Sequence, residues 1–347
     1  MPSLGGRKIP LPRALSERAY HTGHDPSTAR SALDLPLLAT AEGATRRVGV
    51  EVEFMGIGAG GAARALAAGL GGTVVEQDPH AFLVQGTPLG DLAVELDIRY
   101  VHPQEHGSTL AIRLGPRTAA WLGSLLRGLV PRELITAPVA IGRLPELDQL
   151  VEILRDAGAT GQGTTWIGSL GLHFNIDPPG LDAERLTAIL KAFLLLDPWL
   201  RREIAHGRPL RPAYLPVPYP DAYVRRVVAA DYWPDLPALA ADYLDANPSR
   251  DRDLDLLPIF LHFDPGQVRA RLPHEKIGSR PALHYRLPQA HVSEPGWSIV
   301  PDWNRWVAVE RLAGDRDRLQ ALGQARLGFG GTDEAWAQLV GEVAFDR

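Results

Sequence analysis

Residues 47–54 read Arg-Val-Gly-Val-Glu-Val-Glu-Phe, and from Val48 onward every second side chain is apolar. This alternation predicts a β-strand, because successive side chains of a strand point to opposite faces of the sheet. The apolar residues are predicted to share one face, and Glu51 and Glu53 the other. Two glutamates side by side on one face repel each other, and such a pair is tolerated in water or around a cation.

Three further segments, 92–100, 166–177 and 280–287, are also predicted to be strands with one apolar face. Their other faces carry acids, imidazole, amide or guanidinium groups, where a solvated sheet usually carries threonine, serine or lysine. These residues are Glu95, Asp97 and Arg99 in the first segment, His173, Asn175 and Asp177 in the second, and Arg280, His284 and Arg286 in the third. Strands and helical segments mix without a regular β-α-β order, which predicts an α+β fold with an antiparallel sheet.

The remaining elements are predicted from periodicity and from helix and turn signals. Shorter strands are predicted over 73–76, 81–85 and 133–141, and helices over 60–70, 117–129, 145–157, 182–196, 198–206, 221–247 and 303–312. Residues 250–255 are predicted to be a charged loop. We expect three parts in the chain, namely an N-terminal arm over 1–45, one main domain over 46–312 and a C-terminal helical tail over 313–347.

The composition limits the classes of function. With 347 residues, of which 45% are hydrophobic and 22% charged, the chain can bury a large core. Lysine and arginine total 36 against 41 acidic residues, and this net charge of −5 disfavours a broadly basic nucleic-acid surface. The absence of cysteine excludes disulfides, thiol nucleophiles and thiolate metal sites. Without a recognisable secretory signal or membrane-spanning stretch, we expect a cytoplasmic protein with no membrane partner.

The residues on the polar strand faces suggest a chemistry. Acidic side chains together with His173 and Asn175 favour oxygen-rich coordination of a divalent cation. Arg280 and Arg286 would supply fixed donors for phosphoryl oxygens or for a substrate carboxylate. Acids, metal and arginines on one face suggest phosphoryl transfer from a nucleotide. Cross-strand salt bridges on a wet sheet surface explain the same alternation, and the pattern alone leaves both interpretations open.

Taken in order, the motifs resemble those of the carboxylate–amine ligase superfamily, which contains glutamine synthetase and glutamate–cysteine ligase. The chain is most similar to the amidoligase branch, over about residues 46–310. The opening Gly-[Val/Ile]-Glu-x-Glu motif falls on Gly49, Glu51 and Glu53. The later motifs are similar to Val94-Glu95-Leu96-Asp97, Leu172-His173-Phe174-Asn175 and His284-Tyr285-Arg286, the last with Lys276 and Arg280 upstream.

This resemblance implies a glutamine synthetase-like catalytic domain with a curved antiparallel sheet, whose concave face holds Mg²⁺ and ATP and whose outer face carries helices. In such enzymes the γ-phosphate passes to a substrate carboxylate, and an amine then displaces phosphate from the acyl phosphate to form an amide. The metal ligands implied here are Glu51, Glu53, Glu95 and His173. Asn175 would touch the nucleotide phosphates, and Arg280 and Arg286 would stabilise the transferring phosphoryl group.

The sequence departs from the family pattern at His284, where a metal-binding glutamate is usual. We count His284 as a metal ligand, and leave the choice between Mg²⁺ and Mn²⁺ open. Lys276 could reach a phosphate, although an exposed lysine is the default interpretation. Arg208 and Arg211 resemble an arginine-rich segment of the family that would bind the nucleotide, and a solvated loop is nearly as good an explanation.

Three functions therefore remain after the sequence alone. The leading one is an ATP-dependent ligase that joins a small-molecule or peptide carboxylate, such as a glutamyl group, to an amine. A metal-dependent hydrolase could use the same acids and histidine without nucleotide. A catalytically inactive binding protein could retain the fold, and the departure at His284 is the hint for it. A homo-oligomer is left open, and no nucleic-acid partner is expected.

Overall fold

The structure is a computed structural model that describes residues 31–96, 130–161, 170–205 and 215–344. Within these ranges nine strands form one open antiparallel sheet, and ten α-helices accompany it. The predicted α+β class with an antiparallel sheet is confirmed. The likeness to glutamine synthetase stays a prediction.

The strand that carries Glu51 and Glu53 lies near the centre of the sheet. The strands are β1 (Arg47–Phe54), β2 (Thr73–Asp78), β3 (Ala81–Thr87), β4 (Gly90–Leu96), β5 (Arg132–Thr136), β6 (Val139–Ala140), β7 (Leu172–Ile176), β8 (Leu254–Asp255) and β9 (Leu283–Tyr285). Their order across the sheet is β2-β3-β4-β5-β1-β7-β9-β8, and β6 pairs with β1 outside this path. The four apolar side chains of β1 are buried, as the alternation predicts.

The helices are α1 (Ala59–Leu70), α2 (Asp148–Asp156), α3 (Ala183–Ala205), α4 (Asp221–Val227), α5 (Leu236–Ala246), α6 (Leu257–Phe263), α7 (Pro265–Arg271), α8 (Val300–Gly314), α9 (Arg316–Gly328) and α10 (Asp333–Ala344). A 3₁₀-helix (Ile141–Leu147) precedes α2. Helices α3 and α8 cover the apolar face of the sheet. The ring centroid of Trp303 lies 6.0 Å from that of Phe174, and those of Trp306 and Phe193 lie 5.3 and 5.9 Å from that of Tyr285.

Two predicted boundaries are wrong at prolines. Helix α3 runs without a break through Pro198, although two helices were expected there. Proline removes one backbone donor, but Trp199 and its neighbours are buried, and this packing outweighs the local penalty. The predicted strand over 133–141 is instead divided into β5 and β6, because Pro138 cannot donate to a ladder.

Other differences involve short elements. The predicted charged loop 250–255 ends in strand β8, which pairs with β9. The strand expected over 280–287 extends only over Leu283–Tyr285, and the helix expected over 221–247 is divided into α4 and α5. The end of the strand expected over 92–100, the helix expected over 117–129 and the start of the strand expected over 166–177 lie outside the described residues. None of the described helices has the length and apolar character needed to span a membrane.

Candidate functional site

The register of the sheet brings the predicted polar residues onto one face. On β1 and β7, Glu51 lies directly opposite His173. On β7 and β9, Asn175 lies opposite His284, and His284 in turn lies opposite Asp255 of β8. Cross-strand partners share a face, so residues that are far apart in the chain converge on the side of the sheet away from α3 and α8.

Three glutamates form a row across the neighbouring strands of this face. Glu53 of β1 lies opposite Glu133 of β5, and Glu133 lies opposite Glu95 of β4. Glu53 is buried at 3% exposure, and Glu133 and Glu95 are half-buried. Carboxylates directly opposite one another repel when both are ionised, and a cation between them relieves that repulsion.

A chain of hydrogen bonds begins at Glu51. One oxygen, Oε2, lies 3.0 Å from Nδ1 of His173. The other, Oε1, accepts a hydrogen bond of 2.7 Å from the amide of Asn175. Asn175 accepts in turn a hydrogen bond of 2.6 Å from Arg280, whose guanidinium also lies 3.8 Å from Glu51. The acidic part of the face is thereby joined to a basic part.

The electrostatics of this centre favour an ionised carboxylate beside a neutral imidazole. Burial alone would raise the pKa of Glu51, but the contacts with His173 and His284 outweigh it and hold that pKa well below the ordinary glutamate value. Burial lowers the pKa of His173, and the neighbouring Glu51 and Glu53 offset this only in part. A neutral imidazole and an ionised carboxylate are the states in which these side chains bind metals.

His284 is buried and has a carboxylate near each of its two ring nitrogens. Its Nδ1 lies 3.4 Å from Oδ2 of Asp255, and its Nε2 lies 3.7 Å from Oε2 of Glu51. Burial would raise the pKa of Asp255, but His284, Arg250 and Arg286 outweigh burial and lower it. The pKa of Asp255 is therefore lowered although the residue is completely buried.

Two groups of side chains in the described ranges could each hold a metal ion. The first comprises Glu51, His173 and His284, and the second Glu53, Glu133 and His173; within each group the ligand atoms lie within 4.8 Å of one another. Carboxylate oxygen and imidazole nitrogen suit Mn²⁺, and the carboxylate-rich second group also suits Mg²⁺. The buried Nε2 of His284, which makes no hydrogen bond to another described residue, is consistent with a missing partner in the first group.

Comparison with known proteins gives a family for this arrangement. Residues 44–308 match the family described as "Putative amidoligase enzyme", which covers more than half of the chain. The chain belongs to the amidoligase family. Neither a curated protein nor a solved structure matches it. The predicted membership of the amidoligase branch is confirmed, and the family indicates a ligase type of enzyme.

The structure brings together most of the site residues predicted for this amidoligase. Glu51, Glu53, His173 and His284 converge on one centre, with Asn175 and Arg280 beside them. Glu95 lies on the same face but farther out, with Glu133 between it and Glu53.

The remaining predicted residues make other contacts or lie outside the described ranges. The guanidinium of Arg286 donates to the carbonyl of Arg250, and its backbone N–H donates to the carbonyl of Asp253 at 2.7 Å. The side chain of Lys276 is exposed, and its carbonyl accepts a hydrogen bond from Arg250. Arg208 and Arg211 lie outside the described residues.

Two residues of the site were not predicted, namely Glu133 and Asp255. Glu133 lies on β5, where a longer strand was predicted, and Asp255 lies on β8, where a loop was predicted. A signal for Glu133 was present, because Glu133 and Ile135 alternate with the buried Leu134 and Thr136. For Asp255 the surrounding charges concealed the two-residue strand.

Gly171 positions both His173 and Glu53. Its N–H donates to Oε2 of Glu53 at 2.8 Å, and its carbonyl accepts from the backbone N–H of Glu53 at 2.9 Å. A Cβ atom at this position would overlap Nε2 of His173. Only glycine leaves room for the imidazole where it lies.

We expect Gly171→Ala to displace the His173 ring and to weaken Mn²⁺ binding about tenfold or more, while circular dichroism shows an intact fold. The measurement is a Mn²⁺ titration followed by electron paramagnetic resonance. Gly61→Ala, in helix α1, is the matched control, because a Cβ there meets no atom within 4 Å. Unchanged Mn²⁺ affinity in Gly171→Ala would contradict the assignment of His173 as a ligand.

Proposed function

We propose that this amidoligase is an ATP-dependent carboxylate–amine ligase that forms an amide through an acyl phosphate. The observation that carries the proposal is the single sheet face on which carboxylates and two imidazoles meet Arg280. A cation-binding centre beside a guanidinium is the arrangement that phosphoryl transfer needs, since catalysis there consists mainly of positioning and charge neutralisation. Residues 46–312 would form the catalytic domain, with the arm and the tail on either side.

The metal ligands that we propose are Glu51 and His284 for one ion, and Glu53 and Glu133, with Glu95 beside them, for another. His173 lies within reach of both groups, and because its neutral imidazole has a single lone pair it would bind one of the two ions at a time. When bound, Mg²⁺ or Mn²⁺ would neutralise charge on the phosphoryl oxygens. With imidazole within reach of both groups, Mn²⁺ is expected to serve at least as well as Mg²⁺.

The basic side of the face would orient the reacting groups. Arg280 is one-third exposed and already holds Asn175, so both side chains can be presented to the nucleotide phosphates. Arg286 lies farther along the same side and is proposed as a second donor to the phosphoryl group. Lys276, Arg208 and Arg211 are proposed as more peripheral contacts to the nucleotide.

In the proposed reaction an oxygen of the substrate carboxylate attacks the γ-phosphorus of ATP, and the bond from that phosphorus to the bridging oxygen of ADP breaks. The amine then attacks the carbonyl carbon of the acyl phosphate, and phosphate leaves with the bonding electron pair. The amine loses a proton, and the products are an amide, ADP and phosphate. Small-molecule or peptide acids, such as a glutamyl group, are the substrate class that we propose.

The test of this function is the thermal stability of the protein with ATP and metal, separately and together. If the protein is a ligase, an unreactive ATP analogue added together with Mn²⁺ or Mg²⁺ should raise the melting temperature by more than the sum of the two separate increases. Saturation at 100-fold above the dissociation constant is worth about 2.7 kcal/mol. A metal-dependent hydrolase predicts stabilisation by metal alone, with nothing added by nucleotide.

Turnover completes the test. With a mixture of carboxylates and amines, ADP release that requires both components supports the ligase. Joint binding of nucleotide and metal without ADP release from any such mixture would instead indicate the inactive binding protein.

A further inference from the structure

Asp255 lies directly behind His284, on the side of the ring that faces away from Glu51. The two residues are cross-strand partners on β8 and β9. Oδ2 of Asp255 lies 3.4 Å from Nδ1 of His284, and the carboxylate is completely buried. No ligand role is assigned to Asp255, and no metal-ligand group among the described residues includes it.

The other contacts of Asp255 all come from donors. Oδ1 accepts a hydrogen bond of 3.0 Å from the backbone N–H of Leu257, at the start of helix α6. Oδ2 lies 3.4 Å from Nε of Arg250. Because both oxygens already accept from donors, Oδ2 faces His284 as an acceptor, and the Nδ1 atom opposite it must carry a hydrogen. His284 is thereby held as the Nδ1–H tautomer.

The consequence appears at the other nitrogen of the ring. A neutral imidazole with hydrogen on Nδ1 has a lone pair on Nε2. That atom is buried, makes no hydrogen bond to another described residue, and lies 3.7 Å from Oε2 of Glu51. This separation is too long for a hydrogen bond, and two acceptor atoms that face each other in the interior require a positively charged or donating partner between them. The geometry is that of two ligands on a shared cation.

We propose that Asp255 is a positioning residue of the metal centre. It fixes the tautomer and the orientation of His284, and so directs the lone pair of Nε2 toward the cation position. This inference rests on the proposed function, because it assumes a cation held by Glu51 and His284. Asp255 itself touches neither the cation nor a substrate.

The capping contact with Leu257 gives Asp255 a second role, and one substitution separates the two roles. In Asp255→Asn the amide oxygen can still accept from Leu257, so the start of α6 is preserved. The amide nitrogen then faces Nδ1 of His284 as a donor, which favours the lone pair on Nδ1 and the hydrogen on Nε2. The variant is expected to stay folded and to invert the tautomer.

The first experiment reads the tautomer by ¹⁵N nuclear magnetic resonance of the full chain, labelled at histidine and freed of metal by a chelator, at a pH where imidazole is neutral. The His284 signal is assigned by its loss in His284→Gln. We expect Nδ1–H in the wild type and Nε2–H in Asp255→Asn. Asp245→Asn, an exposed acid paired with Arg271, is the charge-matched control and should retain Nδ1–H. A wild-type signal from Nε2–H overturns the proposal.

The second experiment measures Mn²⁺ affinity by electron paramagnetic resonance. We expect Asp255→Asn to weaken binding about 10- to 100-fold, and Asp245→Asn to leave it unchanged. If His284→Gln weakens binding but Asp255→Asn does not, the proposal is overturned while His284 remains a ligand. If neither variant weakens binding, both the positioning role and the His284 ligand fail. Failure to find ATP-dependent turnover would reject the proposed reaction and leave the tautomer and Mn²⁺ results as they stand.

Discussion

Glu53→Gln is expected to lower ATP turnover by about three orders of magnitude, equivalent to roughly 4 kcal/mol of transition-state stabilisation. Glu53 is buried at 3% exposure and lies opposite Glu133 in the sheet. Glutamine keeps the volume of the side chain and an oxygen that can accept from Gly171, so the local fold persists. The anionic ligand is lost, and with it the cation of the second group.

The stability of the metal-free protein distinguishes this role from a structural one. If Glu53 is a ligand, its charge is repelled by Glu133 when no cation is present, and Glu53→Gln should melt at the same temperature as the wild type or higher. If Glu53 holds the fold through its charge, the variant should melt at a lower temperature. The measurements are ADP release and thermal unfolding after treatment with a chelator.

Glu146→Gln is the matched control for this substitution. Glu146 is exposed and forms an ion pair with Arg143 at 2.7 Å. Because this pair makes no contact with the described residues of the metal centre, neutralising Glu146 should leave turnover unchanged. Turnover of Glu53→Gln within a few-fold of the wild type would remove Glu53 from the metal centre.

The part of the site that was predicted is the part encoded by local alternation. Four site residues each lie two positions from a polar residue or glycine in a predicted strand, namely Glu51, Glu53, His173 and His284. Because side chains two positions apart share a face of a strand, their common face can be predicted without knowledge of the partner strand. The ordered motifs then identified the family. For these residues the sequence was sufficient, because the property concerned is local.

The part that was missed depends on register and on tertiary packing. Glu133 lies between Glu53 and Glu95 because β5 lies between β1 and β4 in the sheet. No local sequence pattern predicts this strand order. Strand β8 exists because β9 provides its hydrogen-bonding partner. The continuity of α3 through Pro198 depends on burial of the residues around it. Such features arise only when distant segments meet.

The basic side of the face leads to the last prediction, Arg280→Lys. The guanidinium of Arg280 donates to Asn175 at 2.6 Å and still exposes 34% of its side chain toward solvent. It can therefore hold Asn175 with one nitrogen and offer others to a phosphoryl group. Lysine is a point charge on a flexible stem and cannot reproduce this fork. We expect turnover to fall about 100-fold.

Two readouts separate this effect from that of Glu53→Gln. Arg280 is not among the proposed ligands, so Mn²⁺ affinity in Arg280→Lys should stay close to that of the wild type. The melting temperature should change little, because a partly exposed ion pair contributes little to stability. Arg271→Lys, which alters a surface pair with Asp245, is the matched control and should retain full turnover.

An unchanged rate in Arg280→Lys would show that a positive charge alone suffices at this position, and the bidentate role would be wrong. A loss of Mn²⁺ binding in the same variant would instead place Arg280 in support of Glu51, since its guanidinium lies 3.8 Å from that carboxylate.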